Sequence, residues 1–130
     1  MEKYYDPDRT PDSKEWLALR QEEKIRLVEQ YHRKNGIRCG NRRLHALIHV
    51  TVENHIALGH QIPVKATLLK LLYEGLSRHE AIHTIGIVFR KHLRDAGGNP
   101  TKQVELGATD YEELEQLTAE DLLNSFDDED

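Results

Sequence analysis

Apolar residues recur every three or four positions along most of this chain, which is the spacing of amphipathic α-helices. A short helix is predicted to begin at Asp12 or Ser13, either of which can cap it. A longer helix is predicted over 21–34, where Asn35-Gly36 ends it. The residues that share the apolar face of this second helix are Ile25, Val28 and either Tyr31 or His32.

The stretch from about 41 to 58 is apolar nearly all round, which predicts a central, buried helix. Pro63 suits the first turn of the next helix, which ends at Glu74 before Gly75. A further helix is predicted from Ser77 to about 94. A last amphipathic helix opens at Thr109 or Asp110. No segment shows convincing alternation of period two, so the sequence predicts an all-α fold, a small multi-helix bundle.

Charge is divided unevenly along the chain. The first 104 residues hold all 18 lysines and arginines and 12 of the 23 acidic residues, whereas the last 26 hold 11 acidic residues and no base. The acidic end can be a solvated extension, a partner-binding segment or a cover for a basic patch. The basic stretch 33–43 has no aromatic stacking partner beyond Tyr31, which argues against nucleic-acid binding.

Composition and length indicate where the protein is expected to be located and whether its fold needs a metal ion. The single cysteine, Cys39, cannot form an internal disulfide, and the sequence contains neither a membrane-spanning apolar run nor a signal peptide. A cytoplasmic location is the default expectation. At 130 residues the chain can bury a core without a stabilising metal, so a metal here is expected to be functional more than a clamp for folding.

Two helices carry histidines in pairs four residues apart, a spacing that stacks side chains on one helix face. One pair is His45 and His49, followed by Glu53, and the other is His79 and His83. Buried imidazoles without partners cost roughly 1 to 3 kcal/mol each. A shared transition-metal ion would satisfy all of them, with zinc expected first and iron second.

Helix geometry limits which of these residues can bind one ion, because His45 and Glu53 are about 12 Å apart along the axis. In an antiparallel crossing, His45 and His49 meet the pair on the later helix, and Glu53 is an extra ligand or an orienting outer group. A shift by one turn would bring His49 and Glu53 to that pair instead. The remaining histidines are interpreted as surface or boundary residues, namely His32, His55, His60 and His92.

Glu80 allows two interpretations. In the pattern H-E-x-x-H the glutamate acts as general base on a metal-bound water, which would make this a metal-dependent hydrolase. The spacing of Ser77 and Glu80 also matches a capping box, in which the glutamate binds the backbone N–H of the serine.

Several motifs together resemble an uncharacterised bacterial family, a domain of unknown function. They are Glu-Trp-Leu-Ala-Leu at 15–19, Tyr-His-Arg at 31–33, the run 45–54 (HxxxHxxxEN) and GLSRHEAIHTIG at 75–86. The resemblance covers about residues 11–94. It implies a small helical fold with a histidine-rich centre and no known activity.

Two other families are similar only in part. The run 79–86 resembles the start of the zinc protease signature H-E-x-x-H-x-x-G-x-x-H, but Phe89 stands where the third histidine belongs. Hemerythrin-like di-iron bundles resemble the chain in His49 with Glu53 and His79 with His83. The last motif of that family has no match here, since His92 and Asp95 are one residue too close.

The sequence therefore predicts an N-terminal loop (1–12), a helical metal-binding domain (13–95), a linker loop (96–108) and an acidic C-terminal helix and tail (109–130). The activity expected is metal binding, with metal-assisted hydrolysis through Glu80 as one possibility. Other possibilities are a metal-binding sensor or interaction module, a di-iron bundle, and a metal-free polar core. The partner is a small molecule or a protein, and the sequence leaves the oligomeric state open.

Overall fold

The computed structural model describes residues 4–36, 42–58, 64–95 and 108–124, and within these ranges it contains helices and no strand. The all-α prediction is confirmed. The elements are α1 (Ser13–Ala18), α2 (Gln21–Lys34), α3 (Arg42–Leu58), α4 (Val64–Tyr73), α5 (Arg78–Asp95), α6 (Ala108–Gln116) and a final 3-10 helix (Ala119–Asn124).

Helix α3 is the centre of the bundle and packs against α1, α2, α4 and α5. Eleven of its residues are buried, and its apolar residues Ile48, Val50 and Val52 are fully inaccessible to solvent. An all-round apolar helix can be stable in water only if neighbours cover every side, which is how the other helices are arranged here. Among the described residues, no helix is long and apolar enough to cross a membrane.

Helix ends follow the local signals in the sequence. Asp12 caps α1 by accepting a hydrogen bond from the Glu15 backbone N–H at 3.0 Å. Gly75 has a φ of 104° and ends α4, and the Leu76 N–H bonds the Leu71 carbonyl at 3.2 Å, which is a Schellman motif. These caps fix where α1 starts and where α4 stops.

The N-terminal segment folds back onto the bundle, although residues 4–12 contain no helix. Tyr5 is buried, and its ring lies 5.7 Å from that of Trp16. The Arg78 side chain donates to the Pro7 carbonyl at 2.9 Å, and the His79 backbone N–H donates to the Asp8 carboxylate at 3.1 Å. The predicted loop thus covers the first turn of α5.

The described part of the acidic C-terminal region packs against α4 and α5. Leu114 is fully buried, and the Lys70 ammonium donates to the Glu115 and Leu117 carbonyls at the end of α6. Residues 96–107 of the expected linker lie outside the described residues, and so do residues 125–130 of the expected tail. Residues 108–122 are a docked element and not a solvated extension.

Candidate metal centre

Four histidine side chains converge between α2, α3 and α5. One ring nitrogen from each lies within 4.8 Å of the others, a spacing that could hold a metal ion. The exposed fractions of these residues are 4% for His32, 2% for His45, 0% for His49 and 8% for His83. The bundle therefore buries a compact set of nitrogen ligands at its centre. We call these four residues the histidine cluster.

The antiparallel crossing of α3 and α5 brings the two helices' histidines together. The rings of His45 and His83 have centroids 5.1 Å apart, those of His49 and His83 are 4.9 Å apart, and eight residues further along α3 Glu53 contacts Arg78. Residue numbers thus increase along α3 as those of the residues contacted on α5 decrease, so the two helices are antiparallel. This is the first of the two crossings predicted from the sequence.

His32 was predicted to be a surface or boundary residue, and this prediction is wrong. It belongs to the last turn of α2, is 4% exposed, and lies with its ring 4.2 Å from that of His45. The sequence contained the signal, because His32 follows Val28 by four residues on the apolar face of α2. It supplies the fourth nitrogen from a helix that neither histidine pair occupies.

Short contacts between ring nitrogens define the cluster. His45 Nε2 lies 2.8 Å from His32 Nε2, and His83 Nε2 lies 2.9 Å from His49 Nε2. Two imidazole lone pairs repel each other at this distance, so each pair shares either a proton or a cation. In both arrangements, at least one nitrogen of each pair is bare, which means that it carries no proton and offers its lone pair.

Hydrogen bonds outside the cluster decide which nitrogens are bare. His32 Nδ1 lies 2.8 Å from the Val28 carbonyl, which can only accept, so Nδ1 carries the proton and Nε2 offers its lone pair. His49 Nδ1 lies 3.2 Å from the Tyr5 hydroxyl. That hydroxyl donates its only proton to the Glu53 carboxylate at 2.5 Å, so it accepts from His49. His49 Nε2 is therefore also bare.

Glu53 is the last residue of a chain of hydrogen bonds that runs from His49 through Tyr5, which we call the relay. Both carboxylate oxygens accept from the Arg78 guanidinium at 2.7 Å, and the pair is buried, with side-chain exposures of 1% and 6%. Glu53 thus touches Tyr5 and Arg78 and reaches the cluster through the tyrosine. Of the two roles predicted for Glu53, this geometry fits an outer group that orients a ligand.

Burial keeps the relay in one protonation state. Desolvation, followed by the neighbouring His83, His45, His32 and His79, lowers the pKa of His49 well below its ordinary value. Burial and then the Glu53 carboxylate raise the pKa of the Tyr5 hydroxyl well above its ordinary value. His49 is therefore a neutral imidazole and Tyr5 a neutral phenol near pH 7.

The lowered pKa of His49 predicts acid sensitivity when chelator is present. Between the folded value and about 6.5, the unfolded chain binds a proton that the folded chain excludes, so stability is full above this range and falls as pH falls through it. We expect urea unfolding to give a free energy that decreases from pH 7 towards pH 5. The slope should be smaller in His49→Gln, and equal slopes would contradict the assignment.

His79 lies beside the cluster without belonging to it. Its ring centroid is 4.3 Å from that of His83 and 5.2 Å from that of His49, and the residue is half-buried. Tyr31 packs edge-on against it at 5.6 Å. The structure therefore groups His45, His49 and His83 from the predicted ligand set and places His79 at the edge nearest to solvent.

Glu80 forms the predicted capping box with Ser77. Its carboxylate accepts from the Ser77 N–H at 2.9 Å, and its own N–H donates to the Ser77 hydroxyl at 3.1 Å. The residue is exposed, whereas the histidine cluster is buried. The cap interpretation is confirmed, and the role of general base stays a prediction that this placement does not favour.

Glu80→Ala is expected to lower stability by about 1 kcal/mol, because it removes one half of the cap. Glu80→Gln should leave stability nearly unchanged, since glutamine serves in the same box. Both variants should bind metal as the wild type does. Urea unfolding and a metal titration check these outcomes, and loss of metal from Glu80→Gln would assign the carboxylate to the site.

The other histidines take structural positions or cannot be placed. The prediction that His55 is a surface or boundary residue is wrong, because the residue is buried. Its Nδ1 is bonded to the Thr51 carbonyl at 2.8 Å, and its ring lies 4.7 Å from that of Phe89. His60 and the side chain of His92 lie outside the described residues. His55 is thus a buried histidine on α3 that is not part of the cluster.

Comparison of this chain with protein-family models, with curated proteins and with solved structures finds no match. The resemblance to the bacterial family described above stays a prediction. The geometry of the histidine cluster is therefore the main evidence for the function of this protein.

Proposed function

We propose that this protein binds one divalent transition-metal ion, zinc first and iron second, through His32, His45, His49 and His83. The observation that carries the proposal is the burial of four convergent imidazole nitrogens, at 0 to 8% exposure, within 4.8 Å of one another. A bundle of this size does not need such a group for its core, since Leu, Ile or Val would fill the same space without a desolvation cost.

The donor set supports one ion of borderline softness. Neutral imidazoles suit zinc, iron, copper and nickel, and four nitrogens in a compact group match the tetrahedral preference of zinc. A di-iron centre would need bridging carboxylates, and Glu53 is held by Arg78 instead. A single-ion site is therefore the form that these residues support best.

The surrounding hydrogen bonds support the same proposal. Metal-binding histidines are commonly oriented by a carbonyl or carboxylate on the second ring nitrogen, which fixes the tautomer. Val28 does this for His32, and Tyr5 with Glu53 does it for His49. These hydrogen bonds leave Nε2 of His32 and Nε2 of His49 without a proton, which is the form that binds a metal ion.

A binding or sensor module is the function that the geometry supports best. Hydrolysis would need a general base facing the ion, and the Glu80 carboxylate is engaged at the start of α5. In the cytoplasmic setting expected from the sequence, such a module would respond to the ion or hold it for a partner protein or small molecule.

Elemental analysis tests the proposal directly. Protein purified without chelator should contain close to one equivalent of zinc or iron. After removal of the ion, titration with zinc or ferrous iron should saturate at one per chain. A protein that is isolated empty and is unaffected by either ion would overturn the proposal and leave the cluster as a hydrogen-bonded polar core.

Tyr5→Phe should weaken zinc binding about 10- to 100-fold, because it removes the group that orients His49 while keeping the ring that fills the core. Tyr4→Phe is the matched control, since Tyr4 is 69% exposed. Competition for zinc with a chromophoric chelator measures both dissociation constants. Equal values for the two variants would exclude an orienting role for Tyr5.

A further inference from the structure

A divalent ion in the histidine cluster would have no negatively charged ligand among the described side chains. Among the described residues, the group of ligand atoms within 4.8 Å consists of histidines alone. A neutral imidazole contributes no charge, so the ion would keep its formal charge of about +2. In a buried site of low dielectric constant, this charge favours any anion that can come close.

The nearby carboxylate does not offset this charge. Glu53 is two hydrogen bonds from His49, but the Arg78 guanidinium binds both of its oxygens at 2.7 Å. The pair therefore contributes almost no net charge to the site. Tyr5, which lies between Glu53 and the cluster, keeps its proton, donates a hydrogen bond to the carboxylate and adds no charge.

One side of the cluster lies near solvent. His83 is its most exposed member at 8%, and the half-buried His79 packs beside it with ring centroids 4.3 Å apart. The Asp8 carboxylate on this side accepts from the His79 backbone N–H and is exposed, so water and salt screen its charge. Of the sides of the cluster, the one formed by His79 and His83 is thus closest to the surface.

We propose that the metal ion of the histidine cluster binds a small monovalent anion, of the class of hydroxide, azide or chloride, on the side facing His79 and His83. This inference rests on the metal binding proposed above. Zinc sites sometimes expand from four to five ligands, and in this way the anion would add to the four imidazoles. The anion supplies the charge that the protein omits, and the metal-bound form would be sensitive to small anions.

Cobalt(II) offers a direct test, because it takes the place of zinc and absorbs visible light according to its ligands. The cobalt-loaded protein is titrated with sodium azide at constant ionic strength, and its visible spectrum should change with saturation at one azide per cobalt. Cobalt that binds with no response to azide would overturn this inference alone. Failure of cobalt and zinc to bind at all would overturn the proposed metal site.

A pair of isosteric variants tests the charge argument. His83→Glu puts a negative ligand on the ion, whereas His83→Gln keeps the site neutral with the same side-chain length. A unit charge about 5 Å from the anion should weaken azide binding on the order of tenfold or more in His83→Glu relative to His83→Gln. Equal azide dissociation constants would contradict charge compensation. The wild-type titration decides the inference even if the variants lose cobalt.

Discussion

His49→Ala is expected to abolish the stabilisation that zinc confers on this protein. An ion that binds only the folded chain adds about 4 kcal/mol to the free energy of unfolding at a thousandfold excess over its dissociation constant. His49 is fully buried, and its Nε2 is directed at the cluster by Tyr5 and Glu53. Removing it takes away both a ligand and the link to the outer hydrogen bonds.

The measurement is the difference between urea unfolding in zinc and in chelator, so that the cost of the cavity left by alanine cancels. His55→Ala is the matched control, because His55 is also a buried histidine on α3 but contacts Thr51 and Phe89 instead of the cluster. It should lose stability in both conditions and keep the full zinc increment. A zinc increment that survives in His49→Ala would show that the ion binds elsewhere.

The sequence predicted the helices well because each signal acts locally. The apolar period, the Asp12 cap and Gly75 depend on residues a few positions apart, and the structure has α2 and α3 close to the predicted ranges. The paired histidines were visible for the same reason. A four-residue spacing places two side chains on one face whatever the rest of the fold does.

The composition of the site depended on contacts that no local rule contains. The local spacing places His32 on the apolar face of α2, but it does not show that His32 meets His45, 13 residues later. Tyr5 reaches His49 from a segment without a helix, 44 residues earlier in the chain. The sequence predicted Glu53 as an extra ligand or an orienting outer group because it continues the spacing of His45 and His49 along α3. The side chain that Glu53 contacts is set by the register of α5 against α3, which places Arg78, the first residue of α5, beside it.

These contacts connect the site to the fold. The segment 4–8 touches the Glu53 carboxylate, the Arg78 guanidinium and the His79 backbone through Tyr5, Pro7 and Asp8. The same residues thus close the bundle over α5 and set the proton on His49. Metal affinity and the packing of the N-terminal segment should therefore change together when this contact is altered.

Glu53→Gln is expected to destabilise the protein by about 3 to 5 kcal/mol in the presence of chelator. The substitution leaves the Arg78 guanidinium buried at 6% exposure without its counter-charge, and removing one partner of a buried pair costs this much. Glu22→Gln removes the charge from the pair with Arg43, whose N–O distance of 2.8 Å is close to the 2.7 Å of the buried pair but whose side chains are half-exposed or more. It should cost less than about 1 kcal/mol.

The double variant Glu53→Leu with Arg78→Met separates burial of charge from loss of contact. Since it removes both charges and keeps apolar volume, it should be less destabilised than Glu53→Gln alone. It should still bind zinc more weakly than the wild type, because Tyr5 no longer has the acceptor that fixes the tautomer of His49. Wild-type stability in Glu53→Gln, measured by urea unfolding, would mean that the guanidinium finds water or another acceptor and that the pair does not hold the site together.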